Sequence, residues 1–168
     1  MKDKFVTAMQ TFSKAIVVPV LYLPAIGLIL VICNFITNPA IVGVLPFLGA
    51  QPIQVLFKVL YSGLMSVFNN LGPIFAIGVA FGLAKKKKEH AALISFLCLF
   101  IFCSAQNAYL TQMNLLDEAV GNGQNLMLGF QIVDMGVFLG IVIGVVVGLL
   151  YNKYCDKDLG EVLSVYGG

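Results

Sequence analysis

The sequence predicts an all-α integral membrane protein: a bundle of about four transmembrane helices, both termini cytoplasmic, with interfacial segments in the outer loops. Three observations predict it. Hydrophobic residues make up 60% of the 168-residue chain and charged residues only 11%, and the mean hydropathy is +0.96. A water-soluble domain of this size has too much surface per unit volume to hide that much apolar area, and a disordered chain would be poor in such residues. The apolar residues also gather into segments near the ~20 residues a helix needs to cross the hydrocarbon layer, where only a helix or a closed barrel satisfies its own backbone. Finally, the lysines fall in alternate connections, as the positive-inside rule requires.

The first span is expected over residues 15–37, with Pro19 and Pro24 near its start removing backbone donors and kinking the first turns. Lys2, Lys4 and Lys14 precede it in the manner of a signal peptide. The apolar run, however, exceeds the ~7–15 residues of an h-region and lacks a small-residue cleavage site, so it reads as an uncleaved span. The second span is expected over residues 66–84. It lies within a longer apolar tract that Asn69-Asn70-Leu71-Gly72-Pro73 interrupts, so an approach helix should precede a main span starting near Leu71. The third is expected over residues 91–108 and the fourth over residues 127–151, the latter apolar apart from Gln131 and Asp134 near its start. Residues 38–52, rich in Pro and Gly and too short to cross, are assigned to the interface. Residues 105–125 are polar, carry Asp117 and Glu118, and end in the turn signal Gly121-Asn122-Gly123. An interfacial helix is expected in that loop.

All ten basic residues are Lys. Lys2, Lys4 and Lys14 precede the first span, Lys85, Lys86, Lys87 and Lys88 separate the second from the third, and Lys153 and Lys157 follow the fourth. With four spans these places share one side of the membrane, so both termini are cytoplasmic and the four-lysine run is a topology anchor that also suits anionic lipid. Lys58 is the exception. No basic face with interleaved aromatics lies outside the apolar segments, which argues against nucleic acid as a partner.

Gly136, Gly140, Gly144 and Gly148 recur every four residues in the fourth span, and Gly78 and Gly82 do so in the second, with Ala76, Ala80 and Ala84 on a neighbouring face. Such tracts let another backbone approach closely, either inside one bundle or between subunits. Asp134 is the only acid inside an apolar segment; it reads as a cap on a helix start or as a proton or substrate contact. Gln131 could share that polar edge. Asn69 and Asn70 beside Gly72-Pro73 read as a broken-helix substrate site or as a simple helix junction. Substrate contacts, if this chain makes any, are therefore sought at Asp134, Gln131, Asn69 and Asn70. His90 follows the lysine run as a solvated residue. Cys33, Cys98, Cys103 and Cys155 show no Cys-x-x-Cys pairing and read as small buried thiols. No nucleophile and base pair, phosphate-binding loop, cofactor motif or metal set is present, so neither a catalytic residue nor a cofactor is expected.

Several motifs in order carry a family resemblance. Phe12-Ser-Lys-Ala-Ile-Val-Val-Pro-Val-Leu-Tyr-Leu-Pro24 and Asn69-Asn-Leu-Gly-Pro-Ile-Phe-Ala-Ile-Gly-Val-Ala-Phe-Gly-Leu-Ala-Lys85 resemble the first and second spans of the enzyme IIC sugar permeases of the bacterial phosphotransferase system. Gly129-Phe-Gln-Ile-Val-Asp-Met-Gly-Val-Phe-Leu-Gly140, Tyr151-Asn-Lys-Tyr-Cys-Asp-Lys-Asp-Leu159 and Ser164-Val-Tyr-Gly-Gly168 are similar to the α-glucoside, maltose-type branch of the glucose superfamily. The resemblance implies a multi-pass protein of the bacterial cytoplasmic membrane that takes up a sugar and couples uptake to phosphorylation. It also implies IIA and IIB partner components and a homodimer.

The same resemblance marks departures. The family's permeases have about ten spans where four are read here. Their sugar-proximal His, their substrate-loop Glu and the phosphorylated Cys of an attached IIB domain have no counterpart, and Gly160 stands where many relatives place Pro. The chain is therefore expected to be the N-terminal, dimer-forming scaffold part of an enzyme IIC domain, lacking its C-terminal half and inactive alone. The alternative is an independent oligomeric membrane scaffold or small channel, with Asp134 and Asn70 facing a lumen.

Overall fold

The computed structural model describes residues 2–117 and 120–155. In order they form α1 (Lys2–Thr37), α2 (Pro39–Val44), a 3-10 turn (Pro46–Gly49), α3 (Gln51–Asn69), α4 (Leu71–Leu83), α5 (Lys88–Gln112), a hairpin of β1 (Gln124–Met127) and β2 (Phe130–Val133), and α6 (Gly136–Tyr154). Among the described residues three helices are long and apolar enough to cross a membrane, and a fourth span arises if α3 and α4 act as one broken crossing. The chain is thus an all-α membrane bundle whose sheet, among the described residues, is one two-stranded hairpin. These residues fall into two compact units, one of residues 2–19 together with those from Leu71 onward, the other Val20–Asn70.

In the first unit α4 is the central helix, because its sequence leaves two faces almost bare. Gly72, Phe75, Ala76, Val79 and Ala80 are buried along one face, and α6 answers with Leu139, Gly140, Gly144, Val147 and Gly148. The contact is made by backbone. A side chain built on Gly140 would fall on the Gly72 peptide, and one on Gly144 would lie 2.8 Å from the Ala76 carbonyl and 2.9 Å from Val79 Cβ. Gly148 meets Leu83 Cβ in the same way. The two four-residue repeats therefore mesh, residue 72 against 140, 76 against 144 and 80 with 83 against 148. The second bare face of α4 receives α1: Gly78 lies under the Pro19 ring and Gly82 against Ala15. Because 82 meets 15 and 78 meets 19, α1 and α4 run antiparallel here.

Two side chains tie these helices, one in the interior and one at the lysine end. Ser95 of α5, fully buried, donates its hydroxyl to the Ala76 carbonyl at 2.9 Å. Asn152 of α6 donates to the Leu83 carbonyl at 2.8 Å and accepts the Lys85 N–H at 2.9 Å, closing the end of α4. The buried residues Ala91, Ser95, Leu99 and Cys103 of α5 recur every four positions, so α5 turns one face inward, small except at Leu99.

The structure departs from the sequence expectations at four places. The fourth membrane helix begins at Gly136 rather than residue 127, because residues 124–133 pair as a hairpin in the register Gln124↔Val133 to Met127↔Phe130. The turn is the two residues Leu128 and Gly129, at φ +53° and +86°, the handedness that matches strand twist and that a helix cannot accept. Hydropathy cannot separate a short apolar strand from helix, and in the hairpin cross-strand pairing takes the place of helical hydrogen bonds. The interfacial helix expected within residues 105–125 is absent among the described residues; α5 instead runs on to Gln112. Pro19 and Pro24 lie inside α1, which starts at Lys2, so they do not mark its first turn. Gly136 leaves the packing stripe: its φ is +52° and a side chain there would meet only Asp134 Oδ1, at 4.0 Å. It serves the left-handed entry into α6.

The hairpin is seated on the helices through Met127 and Ile132, buried against Ala76, Leu99, Cys103 and Leu139. Phe130 packs edge-to-face on Phe100 with ring centroids 5.2 Å apart. Gly144→Val should lower unfolding stability in detergent by about 1–3 kcal/mol or more, since the added atoms meet backbone that cannot give way, whereas Ser95→Ala should cost only about 0.6 kcal/mol. Gly129→Val forces a β-branched residue to positive φ at a cost of about 1–3 kcal/mol. Hydrogen exchange should then speed up across β1 and β2 and leave the middle of α5 unchanged.

Candidate functional site

The polar side chains of the first unit collect at its two ends. At the hairpin end, Asn107 of α5 donates to the Gln131 carbonyl at 2.9 Å, so the strand is held to the helix by a side chain, not by hydrophobic contact alone. Gln131 donates onward to the Asp117 carbonyl at 3.0 Å and to Gln124 Oε1 at 2.9 Å. Gln124 in turn donates to the Leu115 carbonyl at 2.7 Å and accepts the Asp117 N–H at 3.3 Å. The amides of Gln124 and Gln131 thus close the residues after α5 onto the hairpin. Gln106 Oε1, one residue before Asn107, is buried without a hydrogen-bond partner among the described residues.

Asp134 belongs to this end. Its N–H donates to the Gly123 carbonyl at 2.8 Å, extending the hairpin by one pair. Its Oδ1 accepts the Gly136 N–H at 2.9 Å, at the helix terminus where unpaired donors and the helix dipole both favour a carboxylate. The side chain is exposed. Asp134 and Gln131 are therefore on one hairpin, both engaged with backbone. Asn69 and Asn70 are elsewhere, closing α3 in the second unit: Asn70 donates its N–H to the Ser66 and Val67 carbonyls and its side-chain amide to the Ser66 carbonyl at 2.9 Å.

At the opposite end of the first unit, Lys85, Lys86, Lys87 and Lys88 are exposed in the connection from α4 to α5. Lys87 enters α5 in the left-handed region at φ +43°. The Lys88 ammonium lies 5.6 Å from the centroid of the Phe81 ring, and that of Lys153 lies 5.4 Å from Tyr154, so each side chain covers an aromatic while its charge stays in water. The Asn152 bonds to Leu83 and Lys85 place Lys153 at this end, and the Ala15–Gly82 contact places Lys14 there too. His90 is exposed in the first turn of α5. Lys157 lies outside the described residues.

Among the described residues no three metal-ligating side chains converge. The chemistry available at either end is hydrogen bonding and charge. Sequence reasoning missed Asn107, Gln124, Ser95 and Asn152; only Ser95, a lone polar residue in an apolar run, carries a signal that could have found it. It also missed Gly72 as the partner of Gly140; the Gly-Pro pair was read as a break and not as a contact.

Comparison with known proteins agrees with this architecture. The family described as phosphotransferase system, EIIC matches residues 13–168. The chain is also 33% identical, over its whole length, to a protein of Staphylococcus carnosus (strain TM300) named as a phosphotransferase system glucose-specific EIICBA component. It spans a quarter of that relative's length. The match runs through α1, the small-residue faces of α4 and α6, and the hairpin between them: the chain belongs to the phosphotransferase system EIIC family.

Proposed function

We propose that this chain is the N-terminal scaffold part of an enzyme IIC sugar permease in the bacterial cytoplasmic membrane. Its role is to hold the frame against which the sugar-handling part of the whole protein works. The observation that carries the reading is the backbone-level seating of α4 on α6. Ser95, Asn107, Gln131 and Asn152 in the first unit's helices and hairpin are engaged in tying these elements together. Such a unit is built to stay rigid and not to bind and release a sugar.

The whole protein would take up a glucosyl sugar with phosphorylation supplied by IIA and IIB components, and would work as a homodimer. The Staphylococcus carnosus relative is named glucose-specific, whereas the motifs around Gly129 and Tyr151 resemble the α-glucoside branch, so glucose and maltose are the two sugars to test. The collection of Lys14, the four-lysine run and Lys153 at one end supports a cytoplasmic position for that end. It makes the run a topology anchor beside anionic lipid. Asp134, Gln131, Asn69 and Asn70 are proposed as helix and hairpin caps in preference to sugar contacts.

The test compares two reconstituted vesicles supplied with phosphoenolpyruvate and the soluble phosphotransferase proteins. Vesicles holding this chain alone should accumulate neither labelled glucose nor labelled maltose. A fusion that places the chain before the remaining three-quarters of the Staphylococcus carnosus relative should accumulate one of them. Uptake by the chain alone would contradict the scaffold reading, as would a correctly inserted fusion that stays inactive.

A further inference from the structure

Three stretches of the first unit, far apart in sequence, bring ammonium groups together around the end of α4. Ala15 packs on Gly82, which sets Lys14 beside the last turn of α4. Asn152 bonds the Leu83 carbonyl and the Lys85 N–H, which sets Lys85 and Lys153 beside the same turn. Lys87 and Lys88 follow in the connection to α5. All five side chains are exposed, and none of the five makes an ion pair among the described residues. Lys86, between them, engages another group of the chain. Within this connection Glu89 is the only acid.

Such crowding is unfavourable unless counter-charge is near. Like charges repel, and more strongly where hydrocarbon lowers the effective dielectric. A positive-inside orientation requires lysines near the ends of spans, but not that lysines from three segments meet. The cluster therefore calls for anionic charge from outside the chain.

Two of the ammonium groups show the level at which that charge sits. Lys88 Nζ lies 5.6 Å from the centroid of the Phe81 ring, and Lys153 Nζ lies 5.4 Å from that of Tyr154. Phe81 and Tyr154 are exposed in the last turns of α4 and α6. A ring there rests where acyl chains give way to headgroups, so the ammonium group over it lies at the depth of lipid phosphate. A small soluble anion would meet the charge and leave the rings uncovered. A phospholipid meets both.

We propose that Lys14, Lys85, Lys87, Lys88 and Lys153 form a binding site for an anionic phospholipid. Its phosphodiester lies among the ammonium groups and its acyl chains lie beside Phe81. The inference rests on the cytoplasmic position proposed above for the lysine end. It adds that the lipid is a retained ligand of this end and not only its surroundings.

The test uses the full chain in non-ionic detergent, where neither sidedness nor sugar uptake enters, so it can fail while the scaffold reading stands. Phosphatidylglycerol and phosphatidylcholine are supplied in equal amounts, and the lipid retained by the protein is counted by native mass spectrometry. Phosphatidylglycerol should be retained in preference. Lys88→Gln and Lys153→Gln should each weaken that preference about fivefold, whereas Lys58→Gln on α3 should leave it unchanged. Phe81→Leu, which keeps every charge and removes the ring, should weaken it about two- to fivefold. Equal retention of the two lipids by the unsubstituted chain would overturn the proposal. An unchanged preference in the two lysine variants and Phe81→Leu, or an equal response to Lys58→Gln, would show charge without a site and overturn it too. Displacement of the lipid when inorganic phosphate replaces chloride at constant ionic strength would show a soluble-anion site instead. If a variant fails to fold, the unsubstituted chain gives a second reading. Phosphatidylglycerol should raise its unfolding temperature above that in phosphatidylcholine, and added salt should remove the difference; no rise would contradict the proposal.

Discussion

The structure depends on one contact, the meeting of α4 and α6 at the level of their backbones. In lipid there is no hydrophobic gain in hiding one apolar helix against another, because the acyl chains are as apolar as leucine. What remains is dispersion, about 0.1–0.2 kcal/mol for each well-placed atom pair, and it grows only when many atoms come within reach. Gly140 on the Gly72 peptide, and Gly144 on Ala76 and Val79, bring two helices close enough for that sum to matter. With α4 so placed, its other bare face takes α1 through Gly78 and Gly82, and the Ala76 carbonyl is presented to Ser95 of α5.

The polar side chains are then understood as fasteners rather than as chemistry. Asn152 bonds both sides of the α4 terminus from a helix 69 residues further along the chain. Asn107 and Gln131 do the same for the hairpin. Each bond is modest in a membrane, yet each also gives a partner to a backbone group near the end of a helix or strand. This arrangement suits the scaffold role proposed above: these elements are fixed relative to one another by backbone contact and by side chains that bond backbone.

Much of the fold could be read before any coordinates. The glycine repeat from Gly140 to Gly148 pointed to close helix contact because only glycine removes every side-chain atom at a regular spacing. The break near Asn70 followed from Gly72-Pro73. Alternation of lysines grouped Lys85, Lys86, Lys87 and Lys88 with Lys14 and Lys153 at one end. Other features were not legible for physical reasons. Met127, Ile132 and Val133 are as apolar as the helix that follows, and the positive φ of Leu128 and Gly129 leaves no mark on hydropathy. Gly136 has the right spacing for the packing stripe and the wrong backbone conformation. For Asp134 the sequence favours capping over a substrate contact, and the 2.9 Å bond from the Gly136 N–H shows how its carboxylate is engaged. The pairing of Gly72 with Gly140 required knowing which helices are neighbours, and spacing within one helix does not carry that information.

The central claim is that α4 and α6 touch through their backbones, and magic-angle-spinning NMR on the reconstituted chain tests it most directly. With glycine and alanine labelled in carbon, through-space cross-peaks should join the Gly72 carbonyl to Gly140 Cα and the Ala76 carbonyl to Gly144 Cα, at separations below about 5 Å, where interhelical backbone contact at small residues places them. Absence of both cross-peaks, in a sample whose Ala15–Gly82 contact is visible, would contradict the account.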